Sequence, residues 1–235
     1  MKSTVEQIRA RFDNDVERFS RLDTGQSATI DAPLVLELIA EAAAATTPDA
    51  RAVLDIGCGA GNYALKLLER LPGLDCTLVD LSRPMLDRAV ERVSRATGGK
   101  IRILHDDIRL ADIGLDSHDV VIAAAVLHHL RADAEWTDVF QRIFRSLRLG
   151  GSFWVSDLVA HDSPAIQALM WRRYGEYLAA LTDEAYRDHV FAYVEQEDTP
   201  RSLAFQLDLM RDSGFQRIEV LHKNSVFAAY GGVKL

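Results

Sequence analysis

Hydrophobic residues in the first 48 positions recur at helical spacing. Within the run EQIRARFDNDVERF, the apolar positions lie three or four residues apart: Ile8, Phe12, Val16 and Phe19. This spacing predicts an amphipathic helix. A second predicted helix runs from residue 33 to residue 45, with Asp31 as its N-cap. Residues 1–48 are therefore expected to be helical and to lie outside any sheet.

From residue 51 the pattern changes to short apolar runs that alternate with amphipathic segments. The apolar runs predict strands in RAVLDI, DCTLVDL, KIRILH, DVVIAAAVL and SFWVSDLV. The segments between them predict helices in NYALKLLERL, SRPMLDRAVERVSRA and WTDVFQRIFRSL. Strands that alternate with helices indicate a parallel sheet with helices on both of its faces.

The alternation ends near residue 160. Residues 163 to 213 read as mainly helical and rich in aromatic side chains, with one helix starting at Thr199-Pro200 and ending at Gly214. The tail predicts two strands joined by a turn at residues 222–224. The sequence thus predicts one domain over residues 1–235. Its parts are N-terminal helices (1–48), a ligand-binding core (51–157), a helical insertion (158–213) and terminal strands (214–235).

Composition narrows the class of protein. Of the 235 residues, 48% are hydrophobic and 26% are charged, which is typical of a folded globular chain. No apolar run approaches the roughly 20 residues that cross a bilayer, and MKSTVEQIRARF lacks a signal-peptide core, so we expect a cytoplasmic protein without membrane contact. The net charge of -8 gives no strong nucleic-acid signal. Cys58 and Cys76 have neither disulfide nor zinc-site spacing, so no metal is predicted.

A glycine-rich loop follows the first predicted strand. Asp55-Ile56-Gly57-Cys58-Gly59-Ala60-Gly61 comes after an apolar run and opens a helix, a context in which closely spaced glycines let the backbone approach a ligand. The dinucleotide fingerprint has glycines at the first, third and sixth positions, whereas Asn62 is sixth here, which disfavours NAD and FAD. Asp80 ends the next predicted strand, where a carboxylate can accept hydrogen bonds from ribose hydroxyls. The alternative is a tight turn and an acidic helix cap.

These motifs, taken with later ones, resemble class I S-adenosylmethionine-dependent methyltransferases. The resemblance rests on VLDIGCGAG, Asp80, the HDDI segment at 105–108, HDVVIAAAVLHHL and LRLGGSFWVSD, and it spans residues 51 to 157. It implies a Rossmann-like α/β fold with a seven-stranded, mostly parallel sheet whose last strand is antiparallel. It also implies S-adenosylmethionine as cofactor and S-adenosylhomocysteine as product. Leu149 departs from a common proline at that position, a change expected to alter only a turn.

The resemblance carries the family's donor-site roles onto this chain. The glycines would lie under the methionine portion and Asp80 would bind the ribose. Asp107 and the Ile108 backbone N–H would lie near adenine, although Asp106 occupies a position often held by glycine, so either acid can be the adenine contact. The full implied donor set is Asp55, Gly57, Cys58, Gly59, Gly61, Asp80, Leu81, Met85, Asp106, Asp107, Ile108, Ala123 and Ala124.

Methyl transfer from a sulfonium is an in-line displacement, so the protein must mainly position the acceptor and exclude water. Acceptors that lose a proton also benefit from a positioned base. The candidates stand just after the fourth and fifth predicted strands: His128, His129, Asp157 and His161. We predict a catalytic role for His128, His129 and Asp157. The alternative is that the histidine pair only packs or caps locally.

The acceptor is expected to be a small molecule of undetermined identity. Trp171, Arg172 and Tyr174 are the predicted acceptor-binding residues, with the aromatics as walls and the guanidinium binding an anionic group. Equally, aromatics at helical spacing are ordinary core. We expect the N-terminal helices and residues 163 to 195 to close over the acceptor as a lid.

The region after residue 160 is similar in layout to a branch that includes the bacterial tRNA-uridine carboxymethyl-donor synthase, the carboxy-S-adenosylmethionine synthase. In that branch an arginine engages the extra carboxylate of the donor, and the matching position here is Leu209, with Arg211 nearby. The resemblance also implies a homodimer. Three alternatives therefore stay open beside methyl transfer: synthesis of a modified donor, a non-catalytic S-adenosylmethionine-binding module, and a nicotinamide-dependent oxidoreductase.

Overall fold

A computed structural model describes residues 2–21 and 26–235, and within those residues seven strands form one sheet. The strands are β1 (Ala52–Ile56), β2 (Asp75–Asp80), β3 (Ile101–His105), β4 (His118–Ala124), β5 (Leu147–Leu158), β6 (Gln216–Asn224) and β7 (Phe227–Val233). Their order across the sheet is β3-β2-β1-β4-β5-β7-β6. Neighbours from β3 to β5 are parallel, whereas β7 is antiparallel to both β5 and β6. The predicted mostly parallel α/β sheet is therefore confirmed.

Helices cover both faces of this sheet. They are α1 (Val5–Asn14), α2 (Val16–Phe19), α3 (Ala32–Thr46), α4 (Asn62–Arg70), α5 (Arg83–Val93), α6 (Asp133–Ser146), α7 (Pro164–Leu181), α8 (Glu184–Glu197) and α9 (Leu203–Ser213). Successive side chains of a strand point to opposite faces. Val53 of β1 accordingly packs in the core beneath α3, α4 and α5, and Leu54 in the core beneath α6 and α9. No helix of the described residues is long and apolar enough to span a membrane.

The helical insertion adds a third packed layer beside the sheet. Tyr174 and Leu178 of α7 pack with Val190 and Val194 of α8 around an aromatic core. The Tyr174 hydroxyl donates to the backbone oxygen of Ala28 at 2.9 Å, which connects this layer to the segment before α3.

Three local predictions are corrected by the structure. Helix α9 begins at Leu203 with Ser202 as a hydrogen-bonding N-cap, not at Thr199-Pro200, because residues 198–200 lie outside any helix. The terminal hairpin turns at residues 225–226 rather than 222–224, since Asn224 still pairs with Phe227. Asp31 precedes α3 in the left-handed region without a capping bond. Its carboxylate instead accepts a hydrogen bond from Asn224 at 2.8 Å.

Gly214 ends α9 as predicted. Its φ is +107°, and a Cβ atom there would lie 2.8 Å from the ring of Phe144, so both backbone conformation and packing require glycine. In the N-terminal helices, Ile8 is buried, and Phe12 and Phe19 are half-buried and contact each other. The part of the predicted N-terminal region at residues 22–25 lies outside the described residues.

Candidate functional site

The glycine loop leaves the carboxyl end of β1 at the point where the strand order reverses between β1 and β4. Open α/β sheets bind ligands at such a position. Gly57, Gly59 and Gly61 have φ values of +64°, +49° and +81°. A Cβ atom at Gly57 would lie 2.7 Å from the side chain of Val126. The loop therefore depends on glycine at Gly57 for two separate reasons, its backbone conformation and its close packing.

Asp80 and Asp55 are bound by backbone N–H groups on either side of this loop. The Asp80 carboxylate accepts hydrogen bonds from the N–H groups of Gly59 and Ser82, both at 2.8 Å. Asp55 is buried and accepts from the N–H of Ala64 at 3.2 Å, in the first turn of α4. Burial raises the pKa of Asp80 to about 6 and that of Asp55 to about 7. Asp80 lines a cavity, whereas Asp55 acts as an internal support for the loop and helix.

The cavity has a volume of about 240 Å³ and is enclosed by the ends of β1, β2 and β3 together with α1. Its lining includes Ser3, Thr4, Val5, Ile8, Ile56, Gly57, Val79, Asp80, Leu81, Asp106, Asp107, Ile108, Arg109, Val126, His129, Leu130 and Arg131. Beside it, a groove of about 740 Å³ shares Leu81, Asp106 and Asp107 with the cavity. Of the predicted donor residues, Gly57, Asp80, Leu81, Asp106, Asp107 and Ile108 thus line this cavity, whereas Asp55, Gly59 and Gly61 line neither space.

The two neighbouring acids in this space have different environments. Asp107 accepts hydrogen bonds from the Arg109 N–H and Nε at 2.9 Å, and Arg109 also donates to Glu135 at 2.7 Å. Burial alone raises the pKa of Asp107, but the bonds from Arg109 bring it below its usual range. Asp106 is exposed and accepts from the Asp107 N–H at 2.8 Å. Asp106 therefore has more carboxylate lone pairs free to accept a hydrogen bond from a ligand than Asp107 has.

His128 and His129 lie in a short 3₁₀ turn after β4, and His129 lines the cavity. Asp157, near the end of β5, is buried and contacts the Nδ1 atom of His128 directly. The same carboxylate accepts hydrogen bonds from the N–H of Leu127 at 2.8 Å and of Leu158 at 2.7 Å. The structure therefore brings the three predicted catalytic residues together, with Asp157 orienting the His128 ring.

A fourth member of this group was not predicted from the sequence. Asp198 follows α8 and places its Oδ1 atom 3.3 Å from Nδ1 of His129 and 3.6 Å from Nε2 of His128. The Thr199 N–H, which donates to the His128 oxygen at 2.7 Å, holds the two segments together. No sequence signal marks Asp198, because it stands in a polar run far along the chain from the histidines. We call His128, His129, Asp157 and Asp198 the histidine cluster.

The charges of the histidine cluster affect one another. Burial lowers the pKa of His128, but the Asp157 and Asp198 carboxylates outweigh this effect and raise it to about 9. Burial and the adjacent His128 lower the pKa of His129. Burial raises the pKa of Asp198, but the two imidazoles bring it below its usual range.

Helix α1 closes the cavity and is held there by charged and backbone contacts. Nε of Arg11 donates to both carboxylate oxygens of Glu197, at 2.9 and 3.0 Å. Nη2 of Arg11 donates to Oε2 of the same carboxylate at 2.6 Å. The Ser3 N–H donates to the Gln196 oxygen at 3.0 Å, and Arg131 donates to the Ser3 oxygen at 2.7 Å. Sequence reasoning placed α1 near the acceptor but did not identify its cavity-lining residues.

Several predicted site residues pack elsewhere. Ala123 and Cys58 are buried in the cores on the two faces of the sheet, Ala124 packs against the core that contains Cys58, and Met85 is buried. Neither cavity described above includes these four side chains in its lining. These four residues therefore stabilise the loop and the strands around the site from within the core.

The predicted acceptor residues also lie away from the cavity. Tyr174 is 2% exposed, Trp171 packs edge-on against Tyr174, and Arg172 is exposed and pairs with Glu176 at 2.5 Å. This placement favours the packing interpretation of the aromatic segment. His161 is likewise separate from the cluster and contacts Gln167 at 3.1 Å.

The position matched to a donor-carboxylate arginine lies in the core. Leu209 of α9 is 7% exposed, and the nearby Arg211 pairs with Asp208 on the surface at 2.6 Å. Neither residue lines the described cavities.

Comparison with known proteins agrees with this architecture. Residues 53–151 match a family model described as a methyltransferase domain. An uncharacterized methyltransferase of Mycobacterium bovis is 42% identical over 78 residues, covering 33% of this chain and 37% of the relative. A carboxy-S-adenosyl-L-methionine synthase of Nautilia profundicola is 22% identical over 187 residues, covering 76% of this chain and 75% of the relative.

Solved structures give the same result for the fold. An O-methyltransferase family protein of Burkholderia thailandensis superposes with a TM-score of 0.65 at 18% identity, covering 96% of this chain and 62% of that protein. The present chain thus spans only part of this protein and 37% of the length of the mycobacterial relative. The likeness in structure concerns the fold, and the matched domain contains the glycine loop, Asp80 and the histidine pair.

Proposed function

We propose that the chain transfers a methyl group to a small-molecule acceptor, because residues 53–151 match a methyltransferase-domain family model and its motifs resemble those of class I S-adenosylmethionine-dependent methyltransferases. S-adenosylmethionine supplies an electrophilic methyl group on its sulfonium and leaves as S-adenosylhomocysteine. The observation that carries the proposal is the 240 Å³ cavity, whose lining contains Gly57, Asp80 and Ile108 on one side and His129 on the other.

The residues on the donor side provide polar groups suited to an adenosyl ligand. Asp80 still has free lone pairs on both oxygens beyond its two backbone bonds, and it would accept from the ribose hydroxyls. Backbone at Gly57 comes close to the cavity without a side chain in the way. Asp106 and the Ile108 N–H would meet the adenine edge, between the apolar side chains of Leu81 and Ile108.

The acceptor would bind at the His129 end of the cavity. Among the four members of the histidine cluster, His129 is the one in the cavity lining, so we expect it to contact the acceptor. His128 lies behind it, with the two ring centroids 4.3 Å apart, and Asp157 orients His128. The cluster is thereby placed to accept the proton that an oxygen or nitrogen acceptor loses on methylation.

Helix α1 would act as a lid over both ligands, because Thr4, Val5 and Ile8 line the cavity. Deletion of residues 1–25 should then weaken turnover. Unchanged kinetics in the deleted protein would contradict the lid. We also propose a cytoplasmic location, which cell fractionation would test, and by resemblance a homodimer, which light scattering would test.

The primary test is calorimetric titration with S-adenosylmethionine, S-adenosylhomocysteine and NADH. We expect the two sulfur ligands to bind in the micromolar range, about 8 kcal/mol of recognition, and NADH not to bind. Asp80→Ala should remove this binding. Asp87→Ala, an exposed acid of α5 that pairs only with Arg83 in the salt bridges described, is the matched control. Absence of binding by both sulfur ligands would overturn the proposal.

Synthesis of a modified donor is the second candidate, since the Nautilia profundicola relative, a carboxy-S-adenosyl-L-methionine synthase, covers 76% of this chain. The buried position of Leu209 and the surface pairing of Arg211 disfavour it. Mass spectrometry of the ligand that co-purifies with the protein separates the two. A carboxylated donor would support the synthase, and donor binding without turnover on any acceptor pool would indicate a non-catalytic module.

A further inference from the structure

The histidine cluster contains buried polar atoms that the protein leaves without hydrogen bonds. Within residues 2–21 and 26–235, these atoms include Nδ1 and Nε2 of His129 and Oδ1 of Asp198. The Asp198 side chain is only 4% exposed. Buried side-chain polar atoms almost always have a partner, so a group of orphans at one place requires an explanation such as a bound ion.

The orphaned atoms are directed at one another. One ring nitrogen of His128, one ring nitrogen of His129 and a carboxylate oxygen of Asp198 all lie within 4.8 Å of one another. Oδ1 of Asp198 is 3.3 Å from the nitrogen of His129 and 3.6 Å from that of His128. Ligands at about 2.1 Å from a metal stand roughly 3.0 to 3.4 Å apart, depending on the coordination angle. We propose that His128, His129 and Asp198 bind a divalent transition-metal ion.

The surroundings of His128 support this assignment. Metal-bound histidines usually donate their second ring N–H to a carboxylate, which fixes the tautomer. Here Nδ1 of His128 contacts Asp157, and that carboxylate is itself held by the N–H groups of Leu127 and Leu158. With the hydrogen on Nδ1, the Nε2 atom presents a lone pair toward Asp198. Together, Asp157 and Asp198 carry two negative charges that would balance a dication.

Among the described residues, two cations close to Asp198 have other hydrogen-bond partners. Lys2 donates to the backbone oxygen of Asp198, and Arg11 directs its guanidinium to Glu197. Protonation of His128 would offset the two carboxylates, but it would not supply either nitrogen of His129 with a partner. A metal ion would give one of these two nitrogens a partner, because Nδ1 of His129 would be a ligand.

The ligand types indicate the class of metal. Two imidazole nitrogens and one carboxylate suit zinc, iron(II), cobalt(II) or nickel(II), whereas magnesium and calcium prefer oxygen ligands throughout. Three protein ligands leave at least one coordination position for water or another oxygen. Since His129 also lines the cavity, the ion would stand at the acceptor end of the site. This inference departs from the sequence-based prediction of no metal, which rested on the two cysteines.

The proposal goes beyond methyl transfer and can be tested without it. The chain is purified without an affinity tag, stripped with a chelator, and titrated with cobalt(II) chloride, zinc chloride and magnesium chloride. Calorimetry gives the stoichiometry, and the visible absorption of cobalt reports nitrogen and oxygen ligation. We expect about one equivalent of cobalt or zinc per chain, and little binding of magnesium.

Variants separate the cluster from adventitious surface binding. Asp198→Asn should weaken cobalt binding roughly tenfold or more, and Asp157→Asn, which acts through His128, by about tenfold to a hundredfold. His189→Gln, an exposed histidine of α8, is the control and should bind as wild type does. Zinc should also raise the melting temperature of wild type but not of Asp198→Asn, because an ion that binds only the folded state stabilises it.

Two results would overturn the proposal: no cobalt or zinc binding by the wild-type chain, or binding that is equal in wild type and in the cluster variants. If Asp198→Asn fails to fold, His129→Gln provides the same comparison at a less buried side chain. Donor titration on the stripped protein is run in parallel. Metal binding and methyl transfer can therefore fail independently.

Discussion

The two sides of the cavity, which we propose bind the donor and the acceptor, are built in different ways. On the donor side, Asp55 and Asp80 receive hydrogen bonds from backbone N–H groups of the loop and helix that follow adjacent parallel strands. On the acceptor side, side chains from distant segments meet, and Asp198 and His129 keep polar atoms without protein partners. Backbone-supported sites are rigid before ligand arrives, whereas an incompletely satisfied cluster depends on what binds there.

The largest expected effect is on the acceptor side. Because His129 is the cluster residue in the cavity lining, His129→Ala should lower the rate of S-adenosylhomocysteine formation by about 100-fold or more, as loss of proton-handling groups usually does. The rate is measured with a pool of small-molecule acceptors. Donor affinity should change little, and His189→Ala should behave as wild type. A parallel loss of donor affinity would show that the two sides are not separable.

A glycine substitution tests the donor side next. Gly57→Ala introduces a Cβ atom at positive φ and 2.7 Å from Val126. Strain and overpacking of about 2 to 3 kcal/mol should weaken S-adenosylhomocysteine binding roughly 30- to 100-fold. Gly73→Ala is a matched control, because its φ is +82° with no atom within 4 Å of the new Cβ. Equal losses of ligand affinity in the two variants would assign the effect to backbone strain alone.

The pH dependence of donor binding should be smaller. Since burial raises the pKa of Asp80 to about 6, its carboxylate is ionised at pH 8 and mainly protonated at pH 5. Only the ionised form offers both oxygens as strong acceptors, so affinity for S-adenosylhomocysteine should fall about tenfold as pH decreases between these values. Calorimetry across this range measures the change. Asp80→Asn should flatten the profile, and an equally flat wild-type profile would contradict the role.

The smallest expected effect comes from the contact that holds α1 over both sides. Arg11→Ala removes the partner of the buried Glu197 carboxylate and should loosen the lid. We expect donor affinity to fall about fivefold, which corresponds to roughly 1 kcal/mol. Arg18→Ala removes a more exposed arginine of α2 and serves as control. No difference between the two variants would mean that α1 stays closed without the ion pair.

The sequence alone was enough to predict the sheet and to bring the residues of the proposed donor side to one edge of it. Alternating apolar and amphipathic segments predicted β1 to β5, and parallel strands bring their carboxyl ends to one edge. Asp80 ends β2, Gly57 and Ile108 come just after β1 and β3, and the three residues line one cavity as a result. The sequence predicts these features because a strand, a turn and the start of a helix each depend on a short run of consecutive residues.

Only the tertiary structure decided the acceptor side. Asp198 comes close to His129 because α8 packs nearby and the Thr199 N–H donates to the backbone oxygen of His128. The segment from Ser3 to Ile8 lines the cavity because Arg11 pairs with Glu197. For the aromatic side chains of the helical insertion, the sequence allowed two predictions, an acceptor pocket or an ordinary core. The packing of the helices places Tyr174 in the core. Contacts between distant segments depend on how the helices pack on the sheet. The periodicity of a single sequence predicts the helices but not where they pack.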